Sequence, residues 1–125
     1  MLVSEFETLL KVMESEEHAV VVGKGKEYTR GQEDRLASFK EIAAFSGVRP
    51  EQVCLIFMAK HWQSLANYVK TEQTHSSETV QSRIMDLRVY LALMRAIVEE
   101  KQQEELATRE EHKREPLYGS GKYST

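Results

Sequence analysis

Cysteine, proline and glycine are scarce in this chain, and each scarcity removes a class of protein. A single cysteine, Cys54, forbids an intrachain disulfide, so a secreted cystine-stapled scaffold is excluded. Two prolines and six glycines are too few for a fibrous or low-complexity chain. No apolar run approaches the roughly 18 residues that cross a bilayer. The opening stretch MLVSEFETLL also lacks the basic region of a secretory signal. Positive charge is in short supply too: 17 Lys and Arg stand against 20 Asp and Glu, which argues against a duplex-DNA binder with its dense basic stripe. These absences lead to the expectation of a soluble, cytoplasmic protein without a membrane or DNA partner.

What is present is one domain's worth of chain, 125 residues of which 41% are hydrophobic. A chain of this length buries roughly two thirds of its unfolded surface, enough for a core without metal or disulfide. The charge is unevenly spread. Residues 1–23 carry a net −4, residues 24–98 a net +3 and residues 99–115 a net −3, so a mildly basic middle lies between acidic flanks. That pattern suits a local anion site.

Helical periodicity runs along nearly the whole sequence. Ser4 with Glu7 has the spacing of a reciprocal cap, and Phe6, Leu9, Leu10 and Met13 then form a stripe, predicting a helix over residues 5–18. Residues 19–22 are a β-branched run fit for one short strand, which has no partner to make a sheet, and GKGKEYTRG after them reads as a basic, glycine-interrupted loop. A second helix is expected over residues 32–46, capped by Thr29, carrying Leu36, Phe39, Ile42 and Ala43 and ended by Gly47. Pro50 suits the first turn of a third helix over residues 50–70, whose Val53, Cys54, Phe57, Met58, Trp62, Leu65 and Val69 imply a central, heavily buried rod. After the polar break TEQTHSS, Ser76 or Ser77 is placed to cap a fourth helix with Val80, Ile84, Leu87, Leu91, Met94 and Val98 on one stripe. KQQEELATREEHKRE continues it as a solvated or partner-facing extension. EPLYGSGKYST reads as a tail, flexible or ordered by a partner, with Tyr118 and Tyr123 as anchors for a neighbouring chain. The expected architecture is an all-α, antiparallel four-helix bundle: residues 1–100 as a single helical domain, residues 101–125 as extension and tail.

Polar groups interrupt the apolar stripes of helices three and four. Lys60 and His61 lie between Phe57 and Leu65, while Arg83 and Asp86 accompany the row of Tyr90, Leu93 and Ile97. An unpaired buried charge costs several kcal/mol, so these groups must either pair or hold a ligand. In the first case Asp86 accepts from His61 or Lys60, and Arg83 takes a nearby carboxylate. In the second, three cationic groups oriented by Asp86 receive an anion, the planar guanidinium matching phosphate oxygens. The loop is either a solvated connector or a flap in which Lys24, Lys26 and Arg30 close over an anion while Tyr28 stacks on a base. Its spacing is not that of a P-loop. The four histidines are scattered with no second His or Cys one turn away, so no metal or other cofactor is expected. Cys54 reads as a small core residue.

The segment DRLASF (residues 34–39), the Lys60 and His61 pair, and DLRVYL (residues 86–91) before a last apolar helix resemble the small phage-type proteins called nucleotide modification associated domain 1. These are akin to the all-α nucleotide pyrophosphohydrolases of the MazG kind. The resemblance spans roughly residues 28–100 and implies a helical fold and a link to nucleotides. The hydrolases pair carboxylates as E-x-x-E/D on two helices to hold Mg²⁺. Here position 83 is Arg, and the third helix offers Phe57 with Lys60, or Met58 with His61, where the first pair would stand. Bases in place of acids let protein cations meet phosphate without metal.

The resulting expectation is a non-enzymatic phage-type helical oligomer that binds or sequesters a phosphorylated nucleotide, as in evasion of host defence signalling. Its site would draw on Lys60, His61, Arg83, Asp86, Lys26, Tyr28 and Arg30. The competing expectations are metal-dependent nucleotide pyrophosphohydrolysis using Asp86 and Glu78, and a module that binds a host protein through the acidic segment 99–115.

Overall fold

A computed structural model describes residues 1–29, 33–74 and 77–114, and the side chains within them except residues 24–29. Four helices follow in order: α1 (Val3–Thr29), α2 (Ala37–Ser46), α3 (Pro50–Thr71) and α4 (Val80–Arg114). No strand occurs among the described residues. The all-α bundle expected from periodicity is therefore what forms. α3 and α4 make the principal helix pair, α2 packs on α3, and α1 packs on α4 and α2. No single helix is long and apolar enough to cross a membrane.

The largest correction is to α1. The expected helix over residues 5–18 instead runs from Val3 to Thr29, through the valines of the expected short strand and through Lys24 to Thr29 of the expected loop. A lone glycine costs a helix about 1 kcal/mol without breaking it, and Lys and Glu around it are good helix formers. Val20 and Val21 explain why the helix wins there: both pack against the core, which an unpartnered strand could not do. The first turn is capped two residues earlier than expected, with the Leu2 amide donating to Glu5 Oε2 at 2.8 Å. Of the stripe, Met13 reaches the core, but Phe6 and Leu9 are exposed.

α2 starts later than expected, and Asp34 rather than Thr29 organises its entry. Asp34 Oδ1 accepts from the Leu36 amide at 2.9 Å and its backbone carbonyl accepts from the Ala37 amide at 3.1 Å. Gly47 ends the helix as expected, at φ 70° and ψ 28°, with the Val48 amide reaching back to the Ala43 carbonyl at 3.1 Å. The chain then turns by 102° between α2 and α3. Pro50 opens α3, and the Arg49 amide is held by Gln52 Oε1 at 2.9 Å. For α4, Thr79 replaces the expected serines as cap, its Oγ1 accepting from the Ser82 amide at 3.1 Å.

The core consists of Leu36, Phe39 and Ala43 from the α2 region, Val53, Cys54 and Met58 from α3, and Met85, Leu87, Val89, Leu93 and Ile97 from α4. Two stripes are thus displaced from their expected burial. On α3, Trp62 and Val69 lie on the outer side; on α4, Ile84, Leu91 and Val98 are exposed while the row Met85, Val89, Leu93 and Ile97 turns inward. Beyond Glu100 every residue of α4 to Arg114 is exposed, so the charged extension is a helix in water. The segment EPLYGSGKYST, with Tyr118 and Tyr123, lies outside the described residues.

Candidate functional site

The polar residues singled out on α3 and α4 are carried by the two helices that pack most extensively on one another. Phe39, Phe57, Tyr90 and His61 form a run of neighbouring rings, with centroid separations of 5.9, 6.3 and 5.4 Å in that order. This run fixes the His61 imidazole at the inner seam between α3 and α4. His61 Nδ1 lies 3.5 Å from Asp86 Oδ2 and 3.4 Å from Arg83 Nη1, and all three side chains are largely buried. One nitrogen cannot donate to the carboxylate and accept from the guanidinium at once, so the protonation of Nδ1 selects which neighbour it serves. Arg83 Nε also donates to Glu78 Oε2 at 3.1 Å.

Three of the four expected residues are therefore together, and the fourth is not. Lys60 sits one step around α3 from His61, and its side chain is exposed. The 100° that separates neighbouring helical residues takes it off the seam, so the expected trio of converging cations is reduced to Arg83 and His61. With Glu78 and Asp86 beside them, the two carboxylates outweigh Arg83 while the imidazole is neutral and are balanced only when it is protonated, so the cluster is not cationic. The side chains of Lys26 and Tyr28, and Arg30 altogether, lie outside the described residues.

A cavity of about 300 Å³ opens beside this cluster, where α3 ends and α4 begins. Arg83, Glu78 and Val80 form one wall, Gln63, Ser64, Asn67 and Tyr68 the other, and Gln73 and Thr74 close the end. Arg83 has five N–H donors, and among the described residues only those to Glu78 and His61 are engaged, which leaves donors to spare. The exposed Glu78 carboxylate holds the guanidinium from the solvent side, where an incoming anion would compete with it. Tyr68, expected from sequence as a core or interface group or as a ring for stacking on a base, lines this cavity, whereas Gln63, Ser64 and Asn67 were not among the expected site residues. Their signal is nonetheless present, a polar set at steps of one and four on a helix otherwise rich in apolar residues.

No family model, curated protein or solved structure matches this chain. The site is accordingly read from its own geometry. Glu78 and Asp86, the acids of the metal-dependent expectation, are occupied by Arg83 and His61. Among the described residues no three His, Cys, Asp or Glu side chains gather as a metal-holding group. On α1, Glu14 and Glu17 do have the E-x-x-E spacing, but Glu17 Oε2 is taken by Arg88 Nη2 at 2.9 Å.

A second ionic cluster ties the entry of α2 to α4. Lys40 Nζ bridges Asp34 Oδ2 and Glu100 Oε1, each at 2.6 Å. The hydrogen bond from Lys40 holds the Asp34 carboxyl below its ordinary range, aided by the Leu36 amide. Lys40 is raised in turn, first by its bond to Asp34 and then by that to Glu100. Cys54 touches neither cluster: buried, with its thiol 3.5 Å from the Tyr90 carbonyl, it is pushed up to about 11 by desolvation.

Proposed function

We propose that this protein binds a small phosphorylated ligand of nucleotide type in the cavity between the end of α3 and the start of α4, with Arg83 as the anion-binding group. The observation that carries the reading is Arg83 itself, a largely buried guanidinium with unengaged donors on the wall of a polar cavity. Its planar fork suits phosphate oxygens. The amides of Gln63, Asn67 and Gln73 offer both donors and acceptors, the complement that base edges require, and Tyr68 offers a ring for stacking. About 300 Å³ is at the small end of ligand pockets, which favours a mononucleotide over a larger molecule. Binding rather than turnover is favoured because position 83 is basic where the resembled hydrolases pair carboxylates.

Thermal-shift screening with inorganic phosphate, pyrophosphate and mono-, di-, tri- and cyclic nucleotides tests this reading. A ligand that binds only the folded chain raises the melting temperature. Arg83→Ala is expected to abolish the shift, and Lys60→Ala to leave it unchanged. Glu78→Gln is expected to tighten binding several-fold by removing the internal competitor. If no phosphorylated compound shifts the transition, or if Arg83→Ala retains the shift, the reading fails. Pyrophosphate release in the presence of Mg²⁺ would point instead to hydrolysis.

A second reading is favoured by a separate feature. The outer part of α4, residues 101–114, is fully exposed and carries four acidic and four basic side chains, which fits a docking element for a partner protein such as a host factor. Under that reading, deletion of residues 101–125 removes activity and Arg83→Ala does not.

A further inference from the structure

The outer face of α3 carries a feature that the cavity does not use. Leu55, Ala59, Trp62, Ala66 and Val69 follow one another at steps of four, three, four and three, the spacing of a coiled-coil seam. All five are exposed, and the three large ones retain 59%, 50% and 74% of their surface in chain order. The buried stripe of the same helix, with Val53, Cys54 and Met58, lies on the other side. None of the described helices covers the seam, since α3 packs only on α2 and α4. The seam also lacks charge: between Gln52 and Lys70 the only exposed charged side chains are Lys60 and Lys70, neither at a seam position.

The order of sizes in the seam is palindromic. From either end it reads large aliphatic, alanine, tryptophan, alanine, large aliphatic. We propose that α3 pairs with α3 of a second copy of this chain, antiparallel about a twofold axis at Trp62. Leu55 then faces the partner's Val69, Ala59 faces the partner's Ala66, and the two indoles meet at the axis. An isologous interface requires such self-complementarity. The alanine layers bring the backbones toward the close end of the about 8–10 Å range of helix packing and leave room for the rings between them.

Complete burial of the exposed seam with its neighbour Ile56 removes on the order of 500 Å² per copy, or about 1,000 Å² for the pair, which reaches the threshold of a specific interface and fits a dimer that dissociates on dilution. The pairing stands without the ligand reading, because Arg83 and the seam are separate features.

The test uses the purified full chain. Light scattering coupled to size exclusion is expected to give twice the 14.4 kDa chain mass at tens of micromolar, falling toward the chain mass on dilution. Trp62 is the only tryptophan, so its emission is expected to shift to the blue as concentration rises. Ala59→Glu, and independently Val69→Glu, should give a monomer with unchanged helical circular dichroism, since both sites are in solvent in the single chain. Ala59→Cys combined with Ala66→Cys should crosslink copies on mild oxidation, whereas Ala59→Cys alone should not, because 59 meets 66 and not 59. A monomer at all concentrations, a dimer indifferent to both glutamates, or crosslinking by Ala59→Cys alone would each overturn the proposal. So would a monomer whose emission moves to the red on deletion of residues 115–125, which would assign the seam to the chain's own tail.

Discussion

Lys40 is the residue whose electrostatic environment is most sharply defined. It joins Asp34 and Glu100, yet about two fifths of each side chain in the Lys40–Asp34 pair is in solvent, so the bridge contributes at most about 1 kcal/mol. Its pH window follows from the two shifts. Asp34 is lowered from 3.8, so its share is present above that value and lost as pH falls through the depressed one; Lys40 is raised from 10.5, so its share is present below that and lost as pH rises further. The melting difference between wild type and Lys40→Met is expected to be flat from about pH 5 to 9 and to shrink on either side. Cys54 has a different signature. With its thiol pushed up to about 11 and its surface fully enclosed, it should react with an aromatic disulfide reagent only as fast as the chain opens, and at once in denaturant. At this scale the sequence was partly legible. His61, Arg83 and Asp86 share apolar rows, so their convergence could be read from spacing, but Lys60 is adjacent to His61 and periodicity alone could not say which of the two turns inward.

The elements show where periodicity is informative and where it is not. α2 and α3 are bounded by backbone punctuation, Gly47 and Pro50, and these ends were readable because the residues enforce the conformation locally. Gly47→Ala is expected to cost about 1 kcal/mol, from the left-handed backbone alone, because nothing lies within 4 Å of the added methyl group. Equilibrium urea unfolding measures it. Phe39→Ala, by contrast, removes a buried ring that packs at a tilt against Phe57 and is expected to cost about 3–5 kcal/mol by the same measurement. What the sequence could not resolve was which of several apolar stripes each helix buries. α3 has two, one made of Val53, Cys54 and Met58 and one made of Leu55, Trp62 and Val69, and hydrophobicity alone ranks them equally. The length of α1 was missed for a related reason: Gly23 is a weak helix breaker, and the packing of Val20 and Val21 on the core outweighs it.

For the whole molecule, the last buried residue among those described is Ile97, although α4 goes on to Arg114. A chain ending at Glu100 is expected to melt within a few degrees of the full one, since among the described residues the ion pair to the body lost with that segment is the exposed Lys101 to Glu51 pair at 3.4 Å. A larger drop would show that residues 101–125 support the body. The part of α4 past Ile97 extends about 25 Å from its last core contact. A helix of that length without tertiary support is marginal in water, so its amides should exchange with deuterium far faster than those of Leu93 or Ile97. The arm thus serves as a built-in gauge: whatever settles on it will be registered as slowed exchange along a stretch that is otherwise nearly unprotected, and the boundary of the slowed amides will mark the footprint residue by residue.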